Sequence, residues 1–320
     1  MMATETVTLG RTAEVGMRVG VGITASSRST SSLARSLLIT ARPRQWTKNL
    51  LVFAAPATGR VLFESGVFAD VLLTFVAFTL TASGVYFVND IIDRHEDAAH
   101  PRKRLRPIAA GELSVRVAAT AGTILVAGGL VVAFVAGGAA LVAVVGGYVA
   151  LALCYAFVLR RVAVLDLAAI AGGFMLRAIA GGVAVDVHLS SWFLIVAAFG
   201  SLFIAASKRH AEFVRLDGAP AGNERSSLTE YTEPYLRFVQ YSASTVCITA
   251  YCLWAFEGAV ISTAWSGLSI IPFALGIFRY ALLVDSGRGE TPEDLLLRDP
   301  TLLGLGAAWA AFLATGLVLS

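Results

Sequence analysis

Nine mainly apolar stretches fill most of the chain after residue 48, at about 49–63, 70–90, 115–135, 138–159, 164–184, 189–206, 236–257, 261–284 and 300–319. A helical bilayer crossing takes roughly 20 apolar residues, so the expected fold is all-α and integral to a membrane, with about nine transmembrane helices. The first stretch is the weakest of the nine, being short and interrupted by Pro56. With 57% hydrophobic and 15% charged residues, the chain falls far from soluble proteins, where about 25% of residues are charged. Cys154, Cys247 and Cys252 all lie in apolar runs, with no spacing that would frame a disulfide or a metal site. Residues 1–34, rich in Ser, Thr and Gly and without a signal-type apolar run, read as a disordered cytosolic tail. Residues 35–320 then form a single polytopic membrane domain.

Lys and Arg set the orientation. With a cytosolic amino terminus, the loops near 91–114, 160–163, 207–235 and 285–299 share that side. Of the 25 Lys and Arg residues, all but Arg60 and Arg177 then lie on or beside it. The chain is therefore expected to cross its membrane many times, with the charged loops facing the cytosol. Small-residue faces such as Gly172–Gly173 and Gly181–Gly182 permit close helix approach and are compatible with a homo-oligomer. No nucleic-acid partner is expected.

The most hydrophilic segment is NDIIDRHEDAAHPRKRLRP, residues 89–107, with four acidic and five basic residues. If the helix over 70–90 continues outward, Asn89, Asp90, Asp93 and Asp97 fall on one face within about two turns. Stacked carboxylates repel one another and call for a cation. Hard oxygen ligands with few protein contacts suit Mg²⁺, which completes its shell with water and substrate phosphate. A solvated helix end neutralised by nearby arginines is the plainer alternative. The following run, with Arg102, Lys103, Arg104 and Arg106, could by itself be a topology signal or a contact with anionic lipid. Next to the acidic face it suggests a clamp for a diphosphate that arrives with its metal.

These residues, ND-x2-D-x3-D followed by R-x3-RP, resemble the first signature of the UbiA superfamily of intramembrane prenyltransferases. RPRQWTKNLLVFAAP (42–56), VLDLAAIAGGFMLRAIAGG (164–182) and SKRHAEF (207–213) narrow the resemblance to an actinobacterial branch, over about 36–319. It implies a helical bundle with a cytosol-facing active-site cavity and Mg²⁺ as cofactor. The implied reaction moves 5-phosphoribose from phosphoribosyl pyrophosphate to a polyprenyl phosphate such as decaprenyl phosphate. Diphosphate is released, and the product feeds arabinan and arabinogalactan synthesis in the cell wall. On this basis Asp90, Asp93 and Asp166 are candidate catalytic residues, and Asn89, Asp93 and Asp97 candidate metal ligands. Lys48, Asn89, Arg102, Lys103, Arg106, Tyr155, Arg161, Arg177, Lys208 and Arg209 are candidate substrate-binding residues.

Each has a plainer alternative. Arg177, about 16 Å deeper than Asp166 at 1.5 Å per residue, could be one half of an ion pair that fixes helix packing. Asp166 could be a helix start paired with Arg160 or Arg161. Lys48, Trp46 and Tyr155 could be interfacial anchors, and Lys208 and Glu212 an ordinary i, i+4 pair. The four histidines show no metal spacing. SLTE at 227–230 and TPED at 291–294 read as capping boxes. The later cytosolic loop SKRHAEFVRLDG, including Asp217, is more basic than acidic, where many aromatic prenyltransferases carry a second aspartate-rich motif. Extra cations suit a phosphorylated donor and a phosphate acceptor. Two other readings stay open: transfer of a prenyl chain from a polyprenyl diphosphate to an aromatic acceptor, and an ion-coupled transporter. The latter would commonly show internal repeats, and none is evident.

Overall fold

The structure, a computed structural model, describes residues 30–215, 230–258, 263–288, 295 and 298–319. All regular elements among them are helical: α1 Thr30–Ala41, a 3-10 helix Pro43–Phe53, α2 Ala54–Thr58, α3 Val67–Ile92, α4 Arg94–Ala99, α5 Val115–Phe157, α6 Leu165–Ala184, α7 Ser191–Arg215, α8 Glu233–Leu253, α9 Thr263–Leu283 and α10 Pro300–Leu319. Among the described residues, five stretches of helix are long and apolar enough to cross a membrane: Val67–Ile92, Val115–Phe157, Leu165–Ala184, Ser191–Val214 and Ala264–Ser286. Helix α1 starts at Thr30, inside the stretch expected as a tail. Residues 227–229, 291–294 and Asp217 lie outside the described residues, and with them both predicted capping boxes.

Helix α5 is two helices in one. Gly137 (φ −154°, ψ 21°) and Gly138 (φ 61°, ψ −154°) leave helical geometry, and the second of these conformations is essentially closed to residues with a Cβ. The chain reverses there. Ala118 packs with Phe87 near one end of α3, and Ala133 shares a core with Ala77 and Phe78, as does Tyr148 beyond the turn. Both halves of α5 thus clasp α3, and the break between the stretches expected over 115–135 and 138–159 is a helical hairpin.

The first predicted crossing takes a different form. Arg42 lies beside Asp90, Trp46 Nε1 donates to Ser83 Oγ at 3.1 Å, Asn49 Nδ2 to Thr79 Oγ1 at 3.1 Å, and Phe53 meets Phe75. Between the Arg42 and Phe53 contacts, eleven residues run antiparallel to fifteen of α3. Fifteen residues of α-helix cover roughly 22 Å, so each residue of the segment advances about 2.0 Å, the rise of a 3-10 helix. Thinness and length together let a short segment reach far into the bundle. Pro43 at its first turn lacks an N–H that would go unpaired there anyway.

Gly181 of α6 makes this possible. A Cβ placed there would lie 1.9 Å from the Val52 carbonyl oxygen, so the 3-10 backbone rests directly on the helix. Gly181→Ala is therefore expected to cost about 1–3 kcal/mol by overpacking and to lower the thermal midpoint in detergent. Gly146→Ala, where a Cβ meets nothing within 4 Å, should leave that midpoint in place.

Candidate active site

The acidic motif straddles a break. Helix α3 stops at Ile92, Asp93 caps it at φ −84°, ψ 0°, and α4 restarts at Arg94. Backbone bonds continue across the break, with Asp93 N–H donating to the Asn89 carbonyl at 2.9 Å and Asp97 N–H to the Asp93 carbonyl at 2.8 Å. The carboxylates then divide between two directions. Asp90 takes bonds from Arg42 and, at 3.1 Å, from Arg106 Nη1, which also bonds Asp97 at 2.7 Å. Asp93 faces the other way, to Arg160 Nη1 at 2.5 Å. Asp90 and Asp97 are almost fully buried, whereas the Asp93 side chain keeps 20% of its exposure.

Three carboxylates so close remain together because arginines from three separate parts of the chain surround them. Of the basic run after the motif, Arg106 alone is seen turned into the cluster. Arg102 and Lys103 are exposed, with their backbone N–H groups held by His100 Nδ1 at 3.2 and 3.3 Å. Lys48, carried by the 3-10 helix, stands half-buried 6.0 Å from the Phe174 ring centroid. The Arg42 guanidinium lies over Tyr86 at 4.9 Å.

A second network opens α6. Asp166 is fully buried and accepts from Arg209 Nε at 2.7 Å and from the Tyr231 hydroxyl. Arg209, 1% exposed, also donates to Glu212 at 2.6 Å and to the Tyr155 hydroxyl at 3.1 Å. Burial and the bond to Asp166 hold the Tyr231 phenol above its ordinary pKa, so it stays a donor. Asp166 therefore pairs with Arg209 rather than with the neighbouring arginines, and Arg160 crosses to Asp93. Arg161 is exposed on the Leu159–Arg161 turn, and Lys208 is half-buried one residue before Arg209.

Arg177 sits in a separate layer. Its Nε donates to Asn49 Oδ1 at 2.7 Å, Nη1 to the Gly173 carbonyl at 2.7 Å and Nη2 to the Tyr148 hydroxyl at 3.1 Å, and its guanidinium lies 4.5 Å from the Tyr148 ring centroid. Phe78, 5.6 Å away, precedes Asp90 by twelve residues on α3, or about 18 Å of helix. The guanidinium thus ties α6 to the 3-10 helix through hydrogen bonds and ring faces, and is not brought to the carboxylates. Arg42, Arg160 and Tyr231 are the residues that sequence reasoning left out of the site. Arg42 heads a motif already singled out, which was the available signal. Nothing local marks Tyr231.

The motif fits a divalent ion. Asn89 Oδ1 is buried with no hydrogen-bond partner, an oxygen whose burial is costly unless something binds it. Asp93, the most open of the three carboxylates, is one turn along the chain. No three His, Cys, Asp or Glu among the described residues converge as a protein-only cage, and Mg²⁺ does not ask for one. It is commonly held by one or two carboxylates with waters and substrate phosphates.

The acidic helix terminus and the arginines around it thus lie at the charged end of a bundle of membrane-length helices. The chain belongs to the UbiA prenyltransferase family, whose model matches residues 50–298. A decaprenyl-phosphate phosphoribosyltransferase of Corynebacterium glutamicum is 44% identical over 284 residues, covering 87% of this chain and 85% of that protein. The enzyme of the same description from Mycobacterium tuberculosis is 43% identical over 285 residues, covering 88% and 94%. A UbiA homologue from Archaeoglobus fulgidus bound to GPP and Mg²⁺ shares the fold, with a TM-score of 0.67 at 19% identity over 88% of this chain and 98% of that one.

Proposed function

We propose that this protein transfers 5-phosphoribose from phosphoribosyl pyrophosphate to decaprenyl phosphate or a similar polyprenyl phosphate, releasing diphosphate, in a bacterial plasma membrane. The observation that carries the reading is the ring of cations drawn to the acidic motif: Arg42, Arg106 and Arg160 touch its carboxylates, and the Lys208–Arg209 pair stands at the second network. A donor bearing a diphosphate and a 5-phosphate, meeting an acceptor that is itself a phosphate, needs that many positive charges. The two relatives described as phosphoribosyltransferases support the same substrates.

Asn89 and Asp93, with Asp97 or Asp90 beside them, would hold Mg²⁺, which would supply neutralisation of the charge developing on the diphosphate. Arg106 and Arg160 have side chains long enough to turn from carboxylate to phosphate, and Lys48 is a further candidate for the donor phosphates. The bond from ribose C1 to the diphosphate oxygen breaks with its electron pair leaving on the diphosphate. A lone pair of the acceptor phosphate then forms the new C1–O bond. That oxygen is already anionic near neutral pH, so no strong base is required. Orientation and charge stabilisation supply most of the rate. The mouth faces the cytosol in this reading, in keeping with the Lys and Arg bias and with a water-soluble donor.

Metal dependence supplies a direct check. Binding of phosphoribosyl pyrophosphate to the purified protein, followed by calorimetry, is expected to be lost in chelator and recovered with added Mg²⁺. Equal binding with and without the ion would remove the metal from the site.

A further inference from the structure

Val164, the residue before α6, has φ 70° and ψ −48°, and the Leu165 N–H donates to the Ala163 carbonyl at 2.8 Å. This is a γ-turn of the rare hand, with positive φ at its centre. A β-branched residue in that conformation is an outlier, and such conformations persist where the surroundings over-determine them. Here the Val164 carbonyl accepts from the Ala168 N–H at 2.9 Å in the first turn of α6, and its own N–H is held by one side chain. Tyr231, 3% exposed and stacked on Tyr235 at 5.8 Å, accepts the Val164 N–H at 2.7 Å while donating to Asp166. Arg209 grips the other carboxylate oxygen, and the Asp166 N–H bonds the Val162 carbonyl at 3.1 Å. The strained turn is thus clamped by a residue that comes 67 positions later in the chain.

What the clamp holds is the link between α5 and α6. The Leu159–Arg161 turn lies immediately before it and carries Arg160, whose Nη1 reaches Asp93 at 2.5 Å. The arginine facing the most open carboxylate of the acidic motif is therefore aimed by a turn whose shape depends on Tyr231. We propose that Tyr231 is a positioning residue: by holding Val164 in its strained turn, it sets Arg160 against Asp93 and so shapes the donor site, a role that rests on the phosphoribosyl-transfer reading. It touches no reacting atom. The plainer role, satisfying the buried Asp166 carboxylate, would leave the turn indifferent to the hydroxyl.

The two roles separate with the full chain in detergent, using Tyr231→Phe, Val164→Gly and the double variant. Tyr231→Phe is expected to speed amide exchange across residues 159–166 while leaving α3 unchanged. It should also raise the KM for phosphoribosyl pyrophosphate about tenfold, the scale of one lost hydrogen bond to a charged group, with kcat held within about twofold. Glycine adopts positive φ without a Cβ penalty, so adding Val164→Gly should bring that KM back to within about threefold of wild type. A Tyr231→Phe protein with unchanged exchange at 159–166 would overturn the inference. So would a KM defect that Val164→Gly leaves intact, since Tyr231 would then act through Asp166 alone. If the wild-type protein transfers no phosphoribose, the activity reading fails by itself, and the exchange data still decide the role of Tyr231.

Discussion

Asp93→Ala is expected to lower transfer about a thousandfold, the order seen when one preorganised electrostatic contact to a developing charge is removed, while the protein stays folded. Two features separate Asp93 from its neighbours. It keeps 20% side-chain exposure, where Asp90 and Asp97 keep 3%, so it is the carboxylate of the three most open to a metal ion. It also holds Arg160, so in the proposed mechanism truncation removes a metal oxygen and releases the arginine set beside the donor. Asp93→Asn keeps the shape and an oxygen ligand and should fall between the two. Single-turnover rates on protein of wild-type thermal midpoint would measure this. A folded Asp93→Ala enzyme with full Mg²⁺-dependent turnover would take Asp93 out of the site.

The largest stability effect belongs to Arg209→Ala. It leaves the fully buried Asp166 with the Tyr231 hydroxyl in place of a cation, and breaking a buried pair from one side costs about 3–5 kcal/mol. Removing both charges is far cheaper, so Asp166→Asn combined with Arg209→Gln should recover much of that loss. A double-mutant cycle on thermal unfolding isolates the coupling. Coupling near zero would mean that this network does not tie α6 to α7.

Much of this arrangement is legible in the sequence, because membrane helices announce themselves by length and composition. The reversal at Gly137–Gly138 was readable from small residues between two apolar runs. The cluster of Asp90, Asp97 and Arg106 was readable because nine residues or fewer separate each carboxylate from its neighbour or its arginine along the chain. The 3-10 segment was not. An apolar run with one proline reads as a short α-helix, and the stretched geometry depends on Gly181 letting the Val52 backbone rest on α6. Pairings across long separations were equally hidden. Arg42 to Asp90 spans 48 residues and Arg160 to Asp93 spans 67, and neither spacing carries a period. Arg177 was legible as an intramembrane arginine with two readings, functional by default or a fixture of helix packing, and its partners Asn49, Gly173 and Tyr148 could not be read from the sequence.

The most direct test follows ribose-labelled phosphoribosyl pyrophosphate in the presence of purified protein, Mg²⁺ and a polyprenyl phosphate. The expected result is label in the organic-extractable lipid, abolished by chelator and by Asp93→Ala. Label that stays in the aqueous phase, while the same folded protein moves a prenyl chain from polyprenyl diphosphate onto an aromatic acceptor, would contradict phosphoribosyl transfer and place the chain among the prenyl-transferring members of its family.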